Sequence, residues 1–270
     1  MSTLQLPQLG LGVYLSSPGS TTYNTVLSGL KLGYRHIDTA EYYANESDVG
    51  RAVRDSGIPR QEIFITTKMF TMATAPAGVS EEDFALQKVK ESMAKLDLGY
   101  IDLMLLHSPH GDRIARWRGL ERAVDQGLCR FIGVSNFGKE LLQVLLSQCR
   151  IKPLVNQIEV HVFLQRKELC KFCEDNGVIV EAYSPLCKAK VMDNPVLVRV
   201  AKETGKTVAQ VMLRYLVEKK YVILPKSDNP KRQLENAQVF DFQLSAEQTK
   251  ALDALEAGMT TGWDPTTITE

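Results

Sequence analysis

The sequence predicts an α/β protein, one (β/α)8 (TIM) barrel domain over residues 1–270 with an extra helix and a tail at its C-terminal end. Three observations carry this. Eight short apolar runs alternate with amphipathic stretches of helical spacing. No low-complexity linker divides the chain. Gly57, Gly99, Gly127 and Gly177 each follow a helical stretch and precede an apolar run, the place where a left-handed residue ends a helix. Eight βα alternations of this kind predict a closed parallel barrel.

The strand candidates, in order, are Leu9–Tyr14, Tyr34–Ile37, Ile63–Thr67, Ile101–Leu106, Arg130–Val134, Leu154–Ile158, Val178–Ala182 and Tyr221–Leu224. Between them, Glu81–Lys95 repeats apolar residues at Phe84, Val89, Met93 and Leu96, and Lys139–Gln148 has the same period. Trp117 reads as the start of the helix after the fourth strand, with nine residues between it and His107. Ser245-Ala246-Glu247-Gln248 fits a capping box opening an additional helix to Leu255, and the polar tail Thr260–Glu270 is placed to cover a barrel mouth.

Composition limits the function. Of 270 residues, 44% are apolar and 24% charged, with 32 basic side chains against 32 acidic ones. A neutral balance lacks the electrostatic footprint of a nucleic-acid or anionic-membrane binder, so neither partner is expected, and a small-molecule ligand must be held locally. The first basic residue is Lys31 and no apolar run approaches the roughly 18 residues of a span, so a cytoplasmic protein is expected. A monomer is expected as well. Five cysteines make an odd count, consistent with reduced thiols. Cys170 and Cys173 form a C-x-x-C, but inside a helical stretch, where packing is the simpler role.

In such a barrel the active site lies at the carboxyl ends of the strands. The second, third and fourth strands lead into Asp38, Lys68 and His107. Singly, each has a plainer role, as a helix cap, a solvated amine or a rim imidazole. Together they supply an acid, an amine and an imidazole on consecutive strands, and Asp38 gives Lys68 the partner that a buried charge requires. Tyr43 completes the set, because a phenol of pKa about 10 can donate a proton at neutral pH if an ammonium stabilises its phenolate. His107 would orient a carbonyl oxygen toward it. This is machinery for carbonyl reduction.

Gly33-Tyr34-Arg35-His36-Ile37-Asp38-Thr39-Ala40-x-x-Tyr43, then Asn45-Glu46, Val49-Gly50 and Ile65-Thr66-Thr67-Lys68, closely resemble the signature of the aldo-keto reductase superfamily. The likeness continues through Ile132–Phe137, Val155–Glu159, Glu181–Leu186 and Leu224–Ser227, nearly the whole chain, and points to a small, short-loop member similar to aldehyde reductases and prostaglandin F synthase-like reductases. The resemblance implies a barrel that binds NADPH or NADP+ without a Rossmann fold. It implies a tetrad of Asp38, Tyr43, Lys68 and His107, with Tyr43 as general acid. It also implies that Ser135, Asn136 and Gln157 bind the nicotinamide carboxamide while Tyr183 stacks on the ring. Ser184 and Leu186 would lie along the pyrophosphate, Lys226, Ser227 and Arg232 around the 2′-phosphate, and Glu235 and Asn236 at the adenine. A preference for NADPH over NADH follows.

The chain departs from the family at several places. Cys187 stands where Gly is common, Val13-Tyr14 where Thr-Trp is frequent, Met69-Phe70 where Leu-Trp is frequent, and Ser108 where many members carry Trp. Tyr14, Phe70, Ser108 and Trp263 are therefore candidates for the substrate pocket. A wider and less aromatic mouth is expected, unless Trp263, Tyr42 or His110 folds inward to refill it. Two motifs are discounted by context: Gly10-Leu11-Gly12, which lacks the third glycine of a dinucleotide fingerprint, and Tyr215 with Lys219, which fall on a helical stretch. His107 and His110 have no convergent carboxylate or thiolate, so no metal is expected. A Schiff-base enzyme using Lys68 and a non-catalytic relative remain as competing readings. The first leaves Tyr43 without a role, and the second leaves the tetrad without one.

Overall fold

A computed structural model describes residues 6–269. Eight parallel strands run in sequence order: β1 (Leu11–Gly12), β2 (His36–Asp38), β3 (Phe64–Met69), β4 (Ile101–Leu106), β5 (Cys129–Ser135), β6 (Val155–Glu159), β7 (Ile179–Tyr183) and β8 (Val222–Leu224). The ring closes because the segment of β1 also bridges β8, at Leu9 to Ile223 and Gly12 to Lys226. Helices alternate with the strands: α1 (Ser20–Lys31), α2 (Glu46–Asp55), α3 (Glu81–Leu96), α4 (Arg113–Asp125), α5 (Lys139–Gln148), α6 (Lys167–Asp175), α7 (Pro195–Thr204), α8 (Val208–Glu218), α9 (Pro230–Ala237) and α10 (Ala246–Asp253). The expected eight-fold alternation is present.

Local chemistry explains the element ends. Gly57, Gly99, Gly127 and Gly177 all have positive φ, between 67° and 80°, which costs glycine nothing because it has no Cβ. Ser245 and Gln248 form the capping box that starts α10. Gly50 serves a different purpose: a Cβ there would stand 1.8 Å from the Leu96 carbonyl oxygen, so α2 and α3 approach only because the position is bare.

Some boundaries differ from expectation. β1 is two residues long rather than six: its ladder to β2 covers only Leu11 and Gly12, and on either side single bonds hold the segment, Gly10 N donating to Ile223 O and Val13 N to Asp38 O. β3 continues to Met69, so Lys68 lies within the ladder, opposite Leu105, rather than beyond it. α4 begins at Arg113, capped by Asp112. Trp117 thus lies in its second turn, buried, its indole N–H donating to Ile151 O. Cys170 and Cys173 are buried on α6, and burial raises their thiols to pKa values of about 11 and about 12. They pack, as expected.

Alternation along each strand gives the barrel interior its layers. Phe64, Leu103, Leu105 and Val155 form an apolar plug. Above it the inward positions turn polar, at His36, Asp38, Thr66, Lys68, Gln157 and Glu181, all at most 4% exposed. This polar layer forms the floor of the site.

Candidate active site

Lys68 is the centre of the cluster. Its Nζ donates to Asp38 Oδ1 at 2.7 Å, to the Thr39 carbonyl at 2.8 Å and to Tyr43 Oη at 3.3 Å. Tyr43 ends a short 3-10 turn, Glu41–Tyr43, which brings its phenol back over β3. His107 follows β4, its backbone N–H bonded to Met69 O, and its ring stands edge-on to Tyr43 at 5.7 Å. All four expected members of the tetrad therefore meet at the carboxyl rim.

Their electrostatics differ from the expectation in one respect. Burial opposes the Lys68 ammonium, but Asp38 and then Tyr43 more than offset it, and its pKa is raised. Tyr43 is also raised, to about 12: burial is the largest cause, Lys68 pulls the other way, and Asp38 adds to the rise. The expected lowering by Lys68 is present but outweighed. Burial, then the charge of Lys68, lowers His107 to about 3, so its imidazole is neutral at physiological pH.

Below the tetrad, Gln157 Nε2 donates both to Asp38 Oδ2 at 2.9 Å and to Glu181 Oε2 at 3.0 Å. Glu181 is fully buried, and burial followed by the charge of Asp38 raises its pKa to about 8. Asn136 sits in the left-handed region at φ 63°, which Asn tolerates better than most residues. Its Nδ2 donates to the His107 carbonyl, while its Oδ1 accepts the Tyr183 hydroxyl at 2.9 Å. Ser135 Oγ donates to Gln157 O. These bonds fix the Tyr183 ring and leave Gln157 Oε1 without a partner among the described residues.

A cavity of about 720 Å³ opens over this floor. It is lined by Tyr14, Asp38, Tyr43, Phe70, His107, Ser108, Ser135, Asn136, Gln157, Tyr183, Ser184, Leu186, Lys226 and Trp263, fourteen of the residues singled out from sequence. Lys68 lies beneath, reached through Tyr43. Ser227, Arg232, Glu235 and Asn236 do not line it. Ser227 is tied to Asn229 at the start of α9, Glu235 accepts from Thr207, Asn236 is buried and Arg232 is exposed.

Tyr42 and Trp263, two of the three residues named as able to refill the mouth, both line the cavity. Tyr42 stacks on Phe70 with centroids 5.0 Å apart, and Trp263 packs against His110 at 5.4 Å. Ser108, in place of a larger residue, bonds Thr71 and His110, and His110 in turn backs Trp263. The tail holds Trp263 there. Thr261 N donates to Glu159, Lys188 Nζ to Thr261 O, and Arg166 pairs with Asp264. Cys187, buried, adopts φ 51°, the left-handed region in which its missing glycine would be at ease.

Sequence reading passed over Leu15, Met72 and Lys188, which also line the cavity. Leu15 and Met72 follow Tyr14 and closely follow Phe70, so adjacency to a strand end was the available signal. Lys188 offered none. The discounted motifs are structural: a Cβ at Gly10 would collide with Leu224, and Tyr215 and Lys219 both bond Asp253.

Eight parallel strands in a ring, with a phenol, an ammonium and an imidazole converging on one cavity at its carboxyl end, define a (β/α)8 barrel. The family model described as Aldo/keto reductase family matches residues 8–257. Glyoxal reductase of Bacillus subtilis is 40% identical over 263 residues, covering 97% of this chain and 93% of that protein. MGS-M4, an aldo-keto reductase from a Medee basin deep-sea metagenome library, superposes with a TM-score of 0.92 at 37% identity, covering 98% and 97% of the two chains. An aldo-keto reductase of Bombyx mori in complex with NADP gives a TM-score of 0.88 at 32% identity, covering 95% and 91%. The chain belongs to the aldo/keto reductase family, oxidoreductases that reduce carbonyls. No helix among the described residues is long and apolar enough to cross a membrane.

Proposed function

We propose that this protein reduces aldehydes and ketones to alcohols with NADPH, and that Tyr43 is the general acid. The contact of Lys68 Nζ with both Asp38 and Tyr43 Oη is the observation that carries this reading. The residues present suit the cofactor. Tyr183 offers an anchored ring face, Ser135 and Asn136 lie beside it, and Gln157 Oε1 is free to accept from a carboxamide.

NADPH, when bound, supplies the hydride that adds to the carbonyl carbon. The residues of this chain manage the oxygen. His107, neutral, donates a hydrogen bond that holds it beside Tyr43. The raised pKa keeps Tyr43 protonated until negative charge develops on that oxygen, when its proton transfers. Lys68, held by Asp38, then faces the new phenolate and stabilises it where water is excluded. Lys226, Ser227 and Arg232 would hold the 2′-phosphate, Glu235 and Asn236 the adenine, and Ser184 and Leu186 the pyrophosphate.

The substrate is a small uncharged carbonyl compound, since the outer wall is formed by Tyr14, Leu15, Tyr42, Phe70, Met72 and Trp263. A relative is named glyoxal reductase, which supports testing dicarbonyls. All five cysteines are free thiols, in keeping with a cytoplasmic location. NADPH depletion measured across aromatic aldehydes, aldoses, α-dicarbonyls, ketosteroids and quinones tests the reading. Turnover with at least one class supports it, and none with any class refutes it. Borohydride trapping of a substrate on Lys68 would instead establish the Schiff-base alternative.

A further inference from the structure

The cavity has a second charged end. From the tetrad it extends past Tyr183 and Leu186 to Lys226, just beyond β8. Lys226 is already paired there, its Nζ 2.5 Å from Asp228 Oδ2. Asp228 is anchored in turn, because its Oδ1 accepts from Ser16 Oγ at 2.5 Å and from Thr25 Oγ1 at 3.0 Å. Ser16 and Thr25 are both buried, the first in the loop after β1 and the second on α1. Three donors from three segments thus hold one carboxylate beside the lysine. Burial works to raise the carboxyl of Asp228, but the bonds from Lys226, Ser16 and Thr25 outweigh it and keep its pKa below the ordinary value.

The rest of this end favours an anion. Asn229 caps α9, turning the positive end of the helix toward the same turn. Arg232 is exposed in the first turn, with no side-chain partner among the described residues. A carboxylate among these groups works against their common effect, and its anchoring prevents it from swinging aside.

We propose that Asp228 is a specificity-determining residue for the cofactor. It neutralises Lys226 and opposes a phosphate on the adenosine ribose, so NADH and NADPH are discriminated less than Lys226, Ser227 and Arg232 alone would dictate. The inference rests on the proposed placement of the 2′-phosphate at this end. A phosphate dianion must share Lys226 with a fixed anion. A ribose carrying only hydroxyls brings no charge, and its hydroxyl can donate to Asp228.

The test uses the whole protein and ligands that omit nicotinamide. Dissociation constants for adenosine 2′,5′-bisphosphate and for ADP are measured by calorimetry, and those for NADPH and NADH by quenching of intrinsic emission. In Asp228→Asn the preference for the 2′-phosphorylated member of each pair should rise at least about fivefold, as removal of a neighbouring like charge requires. Ser16→Ala, which keeps the carboxylate but loosens it, should shift the preference in the same direction by a smaller factor, and guards against a variant that fails to fold. A ratio unchanged within twofold, or a fall, in either folded variant overturns the role of Asp228. Failure of the wild-type protein to bind any of the four ligands overturns the placement as well, so the two failures are distinguishable.

Discussion

Lys68 Nζ donates to Tyr43 Oη at 3.3 Å, yet the phenol is held at about 12, above its ordinary value. Burial is the largest influence, the ammonium opposes it, and Asp38, 2.7 Å from the same Nζ, adds to the rise. The resting site therefore stores the proton firmly, and the ammonium acts mainly on the phenolate that forms when the proton leaves.

Tyr43→Phe should lower the turnover number for aldehyde reduction at least about 100-fold, the usual scale of general acid catalysis. NADPH should still quench the intrinsic emission of the variant, since Tyr183, Asn136 and Gln157 are untouched. Retention of more than a tenth of wild-type turnover would transfer the acid role to His107.

Lys68→Met leaves the Asp38 carboxylate buried without its ion pair, which should cost about 3–5 kcal/mol of stability. Adding Asp38→Asn removes the orphaned charge. The double variant should melt above the single one while remaining inactive. Melting of the double variant below Lys68→Met would show that Asp38 is stabilised chiefly by Gln157 rather than by Lys68.

Glu181 supplies a pH dependence whose sign follows from its upward shift. Its carboxyl titrates near 4.5 when unfolded and at about 8 in the fold. The stability that Glu181 contributes is therefore fully present below pH 4.5 and is lost as pH rises through about 8, because folding must retain a proton that the unfolded chain releases. Glu181→Gln removes the titration. Its melting temperature relative to wild type should climb between pH 5 and pH 8.5, by an amount reflecting a few kcal/mol. A constant difference across that range would contradict the assignment.

At the mouth, Ser108 bonds Thr71 and His110, and His110 backs Trp263. Ser108→Trp should break that relay, fill the cavity and narrow the range of aldehydes accepted. Trp263→Ala should raise Michaelis constants for aromatic aldehydes more than for small dicarbonyls. The wild-type enzyme should act on several unrelated carbonyls at micromolar to millimolar Michaelis constants, and a thousandfold preference for a single one would show that the pocket is closed.

Much of this was legible in the chain. The strands are short apolar runs buried on both faces, and several helices end at left-handed glycines, so the eight units could be counted and Asp38, Lys68 and His107 placed near strand ends from local pattern alone. Strand lengths were less accessible. β1 pairs with β2 at Leu11 and Gly12 alone, whereas β3 pairs with β4 through Met69. Those are properties of pairing, which no single segment encodes.

The sequence by itself determined the barrel, its rim and the types of residue that meet there, because each depends on spacing within some forty residues. The tertiary structure decided what those residues experience. Gln157 bonds Asp38 across 119 positions, Ser16 bonds Asp228 across 212, and Trp263 reaches the mouth from a tail whose course depends on Glu159, Arg166 and Lys188. Proton affinity follows the same division. Whether Tyr43 is lowered by its lysine or raised by its surroundings is set by the balance of burial against charge, and that balance exists only once the barrel has closed around it.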